Sequence, residues 1–241
     1  MKTILELENV SAGYGETPIV QGIDMSVSEK EIVTIAGTNG AGKSTLIKAV
    51  MGLLPRVAGS IVLNGKSLKE LPVERRIFQG IGYVPQVSNV FGTLTVMENL
   101  QVVEAVDDRK AMIDRMLTLF PVLAERRRTQ AENLSGGERQ QLAFARALMS
   151  KPSLVLLDEP SAALSPALTE QVFREVKRLP ELGVAVLMVE QRARQALEFS
   201  DRGYILDSGR IVLADTAQAL LQNQEMADLY IGRSAASNQD S

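Results

Sequence analysis

An α/β fold with a parallel-rich sheet and an inserted helical segment is predicted by three observations. Short apolar runs alternate with helical patterns along most of the 241 residues, as expected when strands are joined by helical crossovers. A glycine-rich stretch, Gly37 to Gly42, lies between one apolar run and an apolar helix. A further apolar run, Leu154 to Leu157, ends in the adjacent acids Asp158 and Glu159, and ligands of open α/β sheets collect at the carboxyl ends of strands.

The elements follow in order. Ile4 to Val10 alternates apolar and polar residues, Gly13-Tyr14-Gly15 is a turn, and Ile19 to Val27 alternates more weakly. Ile32 to Ala36 is a short apolar strand, and a helix runs from Lys43 to about Leu53. Ser60 to Leu63 and Gly80 to Val84 read as strands. From Val96 to Met149 the period becomes helical, with a charged stretch near Asp107 to Arg115. After the strand ending in the two acids come a helix at Ala167 to Leu179, a strand at Ala185 to Val189 and a helix at Arg192 to Phe199. A hairpin around Asp207-Ser208-Gly209 and a helix near Ala217 to Ile231 complete the pattern. The expected organisation is a core of residues 1–86 with 151–233, a helical insertion at 87–150, and a disordered polar tail at 234–241.

Composition limits the chemistry. A net charge of −3 gives no general attraction to nucleic acid, and Arg126-Arg127-Arg128 reads as a solvated helix end. With no cysteine and no histidine, disulfides and thiolate or imidazole metal sites are excluded, leaving oxygen ligands that favour Mg²⁺ over zinc. The start of the chain alternates rather than forming the apolar core of a signal peptide. No apolar run approaches the roughly 20 residues that span a bilayer. The expected location is cytoplasmic, with any membrane role supplied by a partner.

Gly37-Thr38-Asn39-Gly40-Ala41-Gly42-Lys43-Ser44 fits G-x-x-x-x-G-K-[ST]. Its backbone N–H groups are expected to wrap phosphates, with Lys43 reaching the β and γ oxygens, Ser44 binding Mg²⁺ and Thr45 touching the α-phosphate. Asp158 is expected to hold Mg²⁺ through water, and Glu159 to activate a water for attack on the γ-phosphate. Leu134-Ser135-Gly136-Gly137-Glu138-Arg139-Gln140 precedes a helix expected from Glu138 to about Met149. Ser135 and Glu138 fit a capping box. The two glycines allow close approach to the helix N-terminus, which makes this stretch a second candidate phosphate site.

With these three elements in order, the chain resembles the ATP-binding subunit of ABC transporters over nearly all its length. The resemblance implies a P-loop NTPase with a RecA-like core, an N-terminal antiparallel β-subdomain and an inserted helical subdomain. It implies ATP and Mg²⁺ as ligands. Gln86, in Tyr83-Val84-Pro85-Gln86, matches a glutamine that reaches Mg²⁺, and Tyr14 matches an aromatic that stacks on adenine. Ser135, Gly136 and Gly137 match residues that bind the γ-phosphate of an ATP held by the opposite subunit of a head-to-tail pair. A groove for membrane partners is expected near Val90-Phe91-Gly92, residues that fit a local core equally well.

Two departures stand out. Gln191, in Met188-Val189-Glu190-Gln191, occupies the place of the family's usual histidine; its amide can donate to phosphate but carries neither charge nor a transferable proton. Ser165 stands where many members have aspartate. Val189-Glu190-Gln191, with Leu94-Thr95-Val96-Met97-Glu98-Asn99-Leu100 and Asp201-Arg202-Gly203-Tyr204, resembles the LivF-type ATPase of importers for branched-chain or other neutral amino acids. That resemblance implies a second ATPase subunit as partner, with a homodimer as the other arrangement, two transmembrane permease subunits, a periplasmic solute-binding protein acting indirectly, and no nucleic acid. It places the chain at the cytoplasmic face of the membrane. Alternatives are a urea or short-amide importer, and a non-transport ATPase of the superfamily; no long coiled coil or second ATPase unit supports the latter.

Overall fold

The computed structural model describes residues 1–87, 89–224 and 226. In chain order these form β1 (Thr3–Gly13), β2 (Val20–Ser28), β3 (Ile32–Gly37), α1 (Lys43–Met51), β4 (Arg56–Leu63), β5 (Lys66–Ser67), α2 (Val73–Arg76) and β6 (Ile81–Val84). Then follow α3 (Val96–Gln101), α4 (Arg109–Leu119), α5 (Pro121–Glu125), α6 (Gly136–Leu148), β7 (Leu154–Asp158) and α7 (Pro166–Arg178). The remainder is β8 (Ala185–Glu190), α8 (Ala193–Leu197), β9 (Arg202–Asp207), β10 (Arg210–Thr216) and α9 (Ala217–Gln222). The expected helix from Ala217 to Ile231 is therefore α9 in its first part. Its last residues and the tail at 234–241 lie outside the described residues.

Two sheets result. An antiparallel sheet has the order β2-β1-β4-β5, and a six-stranded sheet the order β10-β9-β3-β8-β7-β6. In the larger sheet every pairing from β9 to β6 is parallel, and only β10 runs antiparallel. Strands β3, β7 and β8 are buried along their whole length, which is why they read as continuous apolar runs: both faces are covered. By contrast β1 alternates, with Leu5 and Leu7 inward and Glu6 and Glu8 exposed.

On one face of the large sheet, Leu46, Ile47 and Val50 of α1 pack with Ile35, Leu156 and Leu187 and with the apolar side of the antiparallel sheet. On the other face, Val155, Leu157, Val186 and Met188 join Phe144 of α6, Phe173 of α7, and Leu100 and Met116 of α3 and α4. The helices between β6 and β7 thus share a core with the sheet. Phe144 and Phe173 are almost wholly buried; truncating either to alanine costs about 3–5 kcal/mol. This packing fixes the ends of β3, β7 and β8 at one edge, where the site lies.

Candidate functional site

Between β3 and α1 the chain turns through Gly40 and Gly42, at φ 80° and 103°. Gly42 leaves no room for a side chain, since a Cβ there would lie 2.7 Å from Val20 Cγ1. It is the N-cap of α1 and supplies no side-chain cap, and the first turn carries no acid. Unpaired N–H groups and the positive end of the helix dipole therefore face outward, the arrangement that binds phosphate. The loop is braced from behind by the β9–β10 hairpin: Gly209 N–H donates to Ala41 O at 3.0 Å.

Lys43, only 4% exposed, opens the helix. Its Nζ donates to Gly37 O at 3.0 Å and Thr38 O at 3.1 Å, and lies 3.6 Å from Glu159 Oε1. The next residue, Ser44, donates its hydroxyl to Asp158 Oδ1 at 2.7 Å. Asp158 is buried at the end of β7, and burial pushes its carboxyl above the ordinary range. The Ser44 hydroxyl bond, the charges of Lys48 and Lys43, and a hydrogen bond with Tyr83 oppose that shift. Burial, reinforced by Asp158, pushes the Tyr83 phenol up.

Glu159 lies one residue beyond β7 in the left-handed region, φ 48°, a conformation uncommon for a residue with a side chain. Its N–H donates to Val189 O at 3.0 Å, so the neighbouring strand holds the turn. Gln86 Nε2 donates to Glu159 Oε2 at 2.9 Å. The structure thus gathers Lys43, Ser44, Gln86, Asp158 and Glu159 from three separate segments, with Thr45 buried one residue on. Tyr14 is 55% exposed, and its hydroxyl accepts from Lys48 Nζ of α1 at 3.3 Å.

The second phosphate candidate stands apart. Ser135 caps α6, accepting from Glu138 N–H at 3.3 Å while Glu138 Oε2 accepts from Ser135 N–H at 2.8 Å. The helix begins at Gly136, two residues earlier than expected. The Ser135 N–H and hydroxyl, and then Arg126, pull the Glu138 carboxyl below its ordinary range. Ser135 and Gly136 are exposed, whereas Gly137 is buried against Leu168 of α7. Gln191 is exposed just past β8. Among the described residues, no hydrogen bond or ion pair joins Ser135, Gly136, Gly137 or Gln191 to Lys43, Asp158 or Glu159.

The loop after Gln86 is tied to α6. Asn89 Nδ2 donates to Gln140 Oε1 at 3.2 Å, Arg146 Nη1 donates to Asn89 O at 2.7 Å, and the Arg146 guanidinium lies 4.4 Å over the Phe91 ring. Val90 packs partly against the core while Phe91 is half exposed. Ser165 is the N-cap of α7, accepting from Leu168 N–H at 3.5 Å. Sequence reasoning gave no role to Glu190. It is 1% exposed at the end of β8, and its Oε1 accepts from Ser161 N–H at 3.0 Å. An acid closing a wholly apolar strand is the signal that marks it.

A family model described as "ABC transporter" matches residues 20–162. The "High-affinity branched-chain amino acid transport ATP-binding protein BraG" of Pseudomonas aeruginosa is 44% identical over 232 residues, covering 95% of this chain and 100% of its own. The "Probable branched-chain amino acid transport ATP-binding protein LivF" of Archaeoglobus fulgidus is 40% identical over 233 residues, covering 95% and 99%. A crystal structure of an ATP-binding cassette of an ABC transporter in its ADP conformation superposes with a TM-score of 0.84 at 25% identity, covering 96% of this chain and 100% of that one. Those similarities span the β-subdomain, the large sheet and the helices between β6 and β7, and so take in every residue of the Lys43–Glu159 cluster. The chain therefore belongs to the ABC transporter family, in which it is a nucleotide-binding subunit that hydrolyses ATP.

Proposed function

We propose that the chain energises an importer of branched-chain or other neutral amino acids. The observation that carries this reading is that two relatives matching end to end, at 44% and 40% identity, both bear names for branched-chain amino acid transport. In this reading the chain sits at the cytoplasmic face of the membrane, bound to transmembrane permease subunits and paired with a second ATPase subunit. No helix among the described residues is long and apolar enough to cross a membrane, so contact with the bilayer is assigned to those partners. A periplasmic binding protein delivers solute without touching this chain.

The α1 N–H groups and Lys43 hold the β- and γ-phosphates, and Tyr14 offers its exposed ring to adenine. Among the described residues no cluster of three or more acidic, histidine or cysteine side chains is suited to a metal. A Mg²⁺ that arrives with phosphates needs only a few protein oxygens, one of them from a carboxylate, and Ser44, Gln86 and the carboxylate of Asp158 would hold it. When bound, Mg²⁺ neutralises charge on the phosphates and orients them. Glu159 accepts a proton from the attacking water, aimed by Gln86 and by the left-handed turn. Gln191 donates its amide to the γ-phosphate. Ser135, Gly136 and Gly137 serve the ATP held by the paired subunit, so closure of the pair is driven by ATP that contacts both chains. Residues 87–150 carry that movement from the 1–86 and 151–233 core to the permease through the Phe91 face.

The test is reconstitution of the complex in vesicles. ATP-dependent uptake of leucine, isoleucine or valine, abolished by Glu159→Gln, is expected. Uptake confined to urea or short amides would replace the amino-acid reading, and ATP turnover without uptake of any solute would remove the transport role.

A further inference from the structure

Glu190 is an acid at the end of a wholly buried strand of the large sheet. Five wholly buried residues precede it in β8, and it is itself 1% exposed. A buried carboxylate needs hydrogen bonds to offset its lost hydration. Glu190 finds one in Ser161 N–H at 3.0 Å. Burial, reinforced by the nearby charge of Glu159, pushes its carboxyl above the ordinary range. Ser161 is also 1% exposed, so its N–H has no recourse to water.

The position of this donor matters. Ser161 lies two residues after Glu159, in the turn that carries Glu159 at φ 48°. Gln191 lies at the end of the adjacent strand. The turn is thus fastened to β8 at two points, by Glu159 N–H to Val189 O at 3.0 Å and by Ser161 N–H to Glu190. One point is backbone only and is available to any sequence. The other requires a side chain that accepts and reaches.

We propose that Glu190 is a positioning residue for hydrolysis: its carboxylate clamps the Ser161 turn to the end of β8 and so holds Glu159 and Gln191 in fixed relation across the γ-phosphate. This inference rests on the assignment of Glu159 as the group that activates water. A group displaced by about 1 Å from its productive geometry loses up to about a hundredfold in rate while leaving substrate binding nearly intact.

Three variants test it in the full chain assembled with its partner subunit, with kcat, KM for ATP and melting temperature measured for each. Glu190→Gln keeps the length and an acceptor oxygen for Ser161, and should turn over near the wild-type rate. Glu190→Asp keeps the charge but loses the reach, and Glu190→Ala loses both. Each should lower kcat by about tenfold or more with little change in KM. Wild-type kcat in Glu190→Asp, or equal losses in Gln and Asp, would overturn the proposal. So would a fall expressed in KM rather than kcat. If Glu190→Ala does not fold, the Gln–Asp comparison decides alone. Glu159→Gln run in parallel separates the two claims: turnover surviving in that variant removes the base assignment, whereas its loss beside wild-type Glu190 variants removes only the clamp.

Discussion

Gln86 donates its side-chain amide to one oxygen of Glu159, Oε2, at 2.9 Å, while the other, Oε1, faces Lys43 at 3.6 Å. The carboxylate is therefore oriented by groups from the β6 end and the α1 start before any chemistry. A carboxylate so held is a pre-aimed proton acceptor. Glu159→Gln preserves its shape but not its basicity. ATP turnover should fall by about a hundredfold or more, while ATP-driven pairing of subunits, read by size-exclusion chromatography, persists. Undiminished hydrolysis would remove Glu159 from the role of base.

Asp158 shows a cost of the site. Its carboxyl is pushed up chiefly by burial, so its charged form is disfavoured in the fold. Asparagine carries no charge to desolvate and still accepts from Ser44. Asp158→Asn should raise the melting temperature of the protein without nucleotide and abolish Mg²⁺-dependent turnover. A lower melting temperature would show that the hydrogen bonds outweigh the burial.

The Glu138 capping bond makes a pH-dependent contribution of opposite sign. Its carboxyl is lowered from the ordinary 4.5 by Ser135 and Arg126. Its contribution is therefore fully present above that value and lost as pH falls through the lowered one. At neutral pH, Glu138→Ala should cost about 1 kcal/mol, or about 2–4 °C of melting temperature for a chain of this size. The gap from wild type should stay constant above pH 4.5 and narrow as pH falls below it. A gap independent of pH would mean that the charge contributes nothing.

Gln191 is exposed and carries no titrating proton. If it serves the γ-phosphate by hydrogen bonding alone, Gln191→His should introduce a limb near pH ~6.5 into the kcat profile, absent from wild type. Superimposable profiles would place Gln191 outside the chemistry.

What was legible in the sequence, and what was not, follows from how local each feature is. The phosphate loop, the acids after β7 and the capping box are contiguous patterns, and the structure places all three at element ends. The period from Val96 to Met149 is helical but does not report where helices stop, because the breaks are made by side chains. Thr95 and Asp108 cap α3 and α4, and Phe120-Pro121 interrupts the run before α5. The alternation read from Ile4 to Val10 breaks inside that run, where Glu8 and Asn9 are both exposed, because Asn9, at φ 49°, sits in a register shift. Glu190 with Ser161, Lys48 with Tyr14, and Gly209 with Ala41 are contacts between distant segments; no spacing along the chain reports them.

In the proposed mechanism Ser135, Gly136 and Gly137 act on an ATP this chain does not hold. The chain has no cysteine, so Ser135→Cys supplies a single thiol, placed in one subunit of an assembled pair whose other member is distinguishable. The measurement is the rate of maleimide labelling at position 135 with and without ATP. ATP protection should survive Lys43→Ala in the labelled chain and vanish when the phosphate-loop lysine of the other subunit is replaced. Protection that vanishes with Lys43→Ala in the same chain and survives loss of the other lysine would place Ser135 at this chain's own ATP and contradict a shared site.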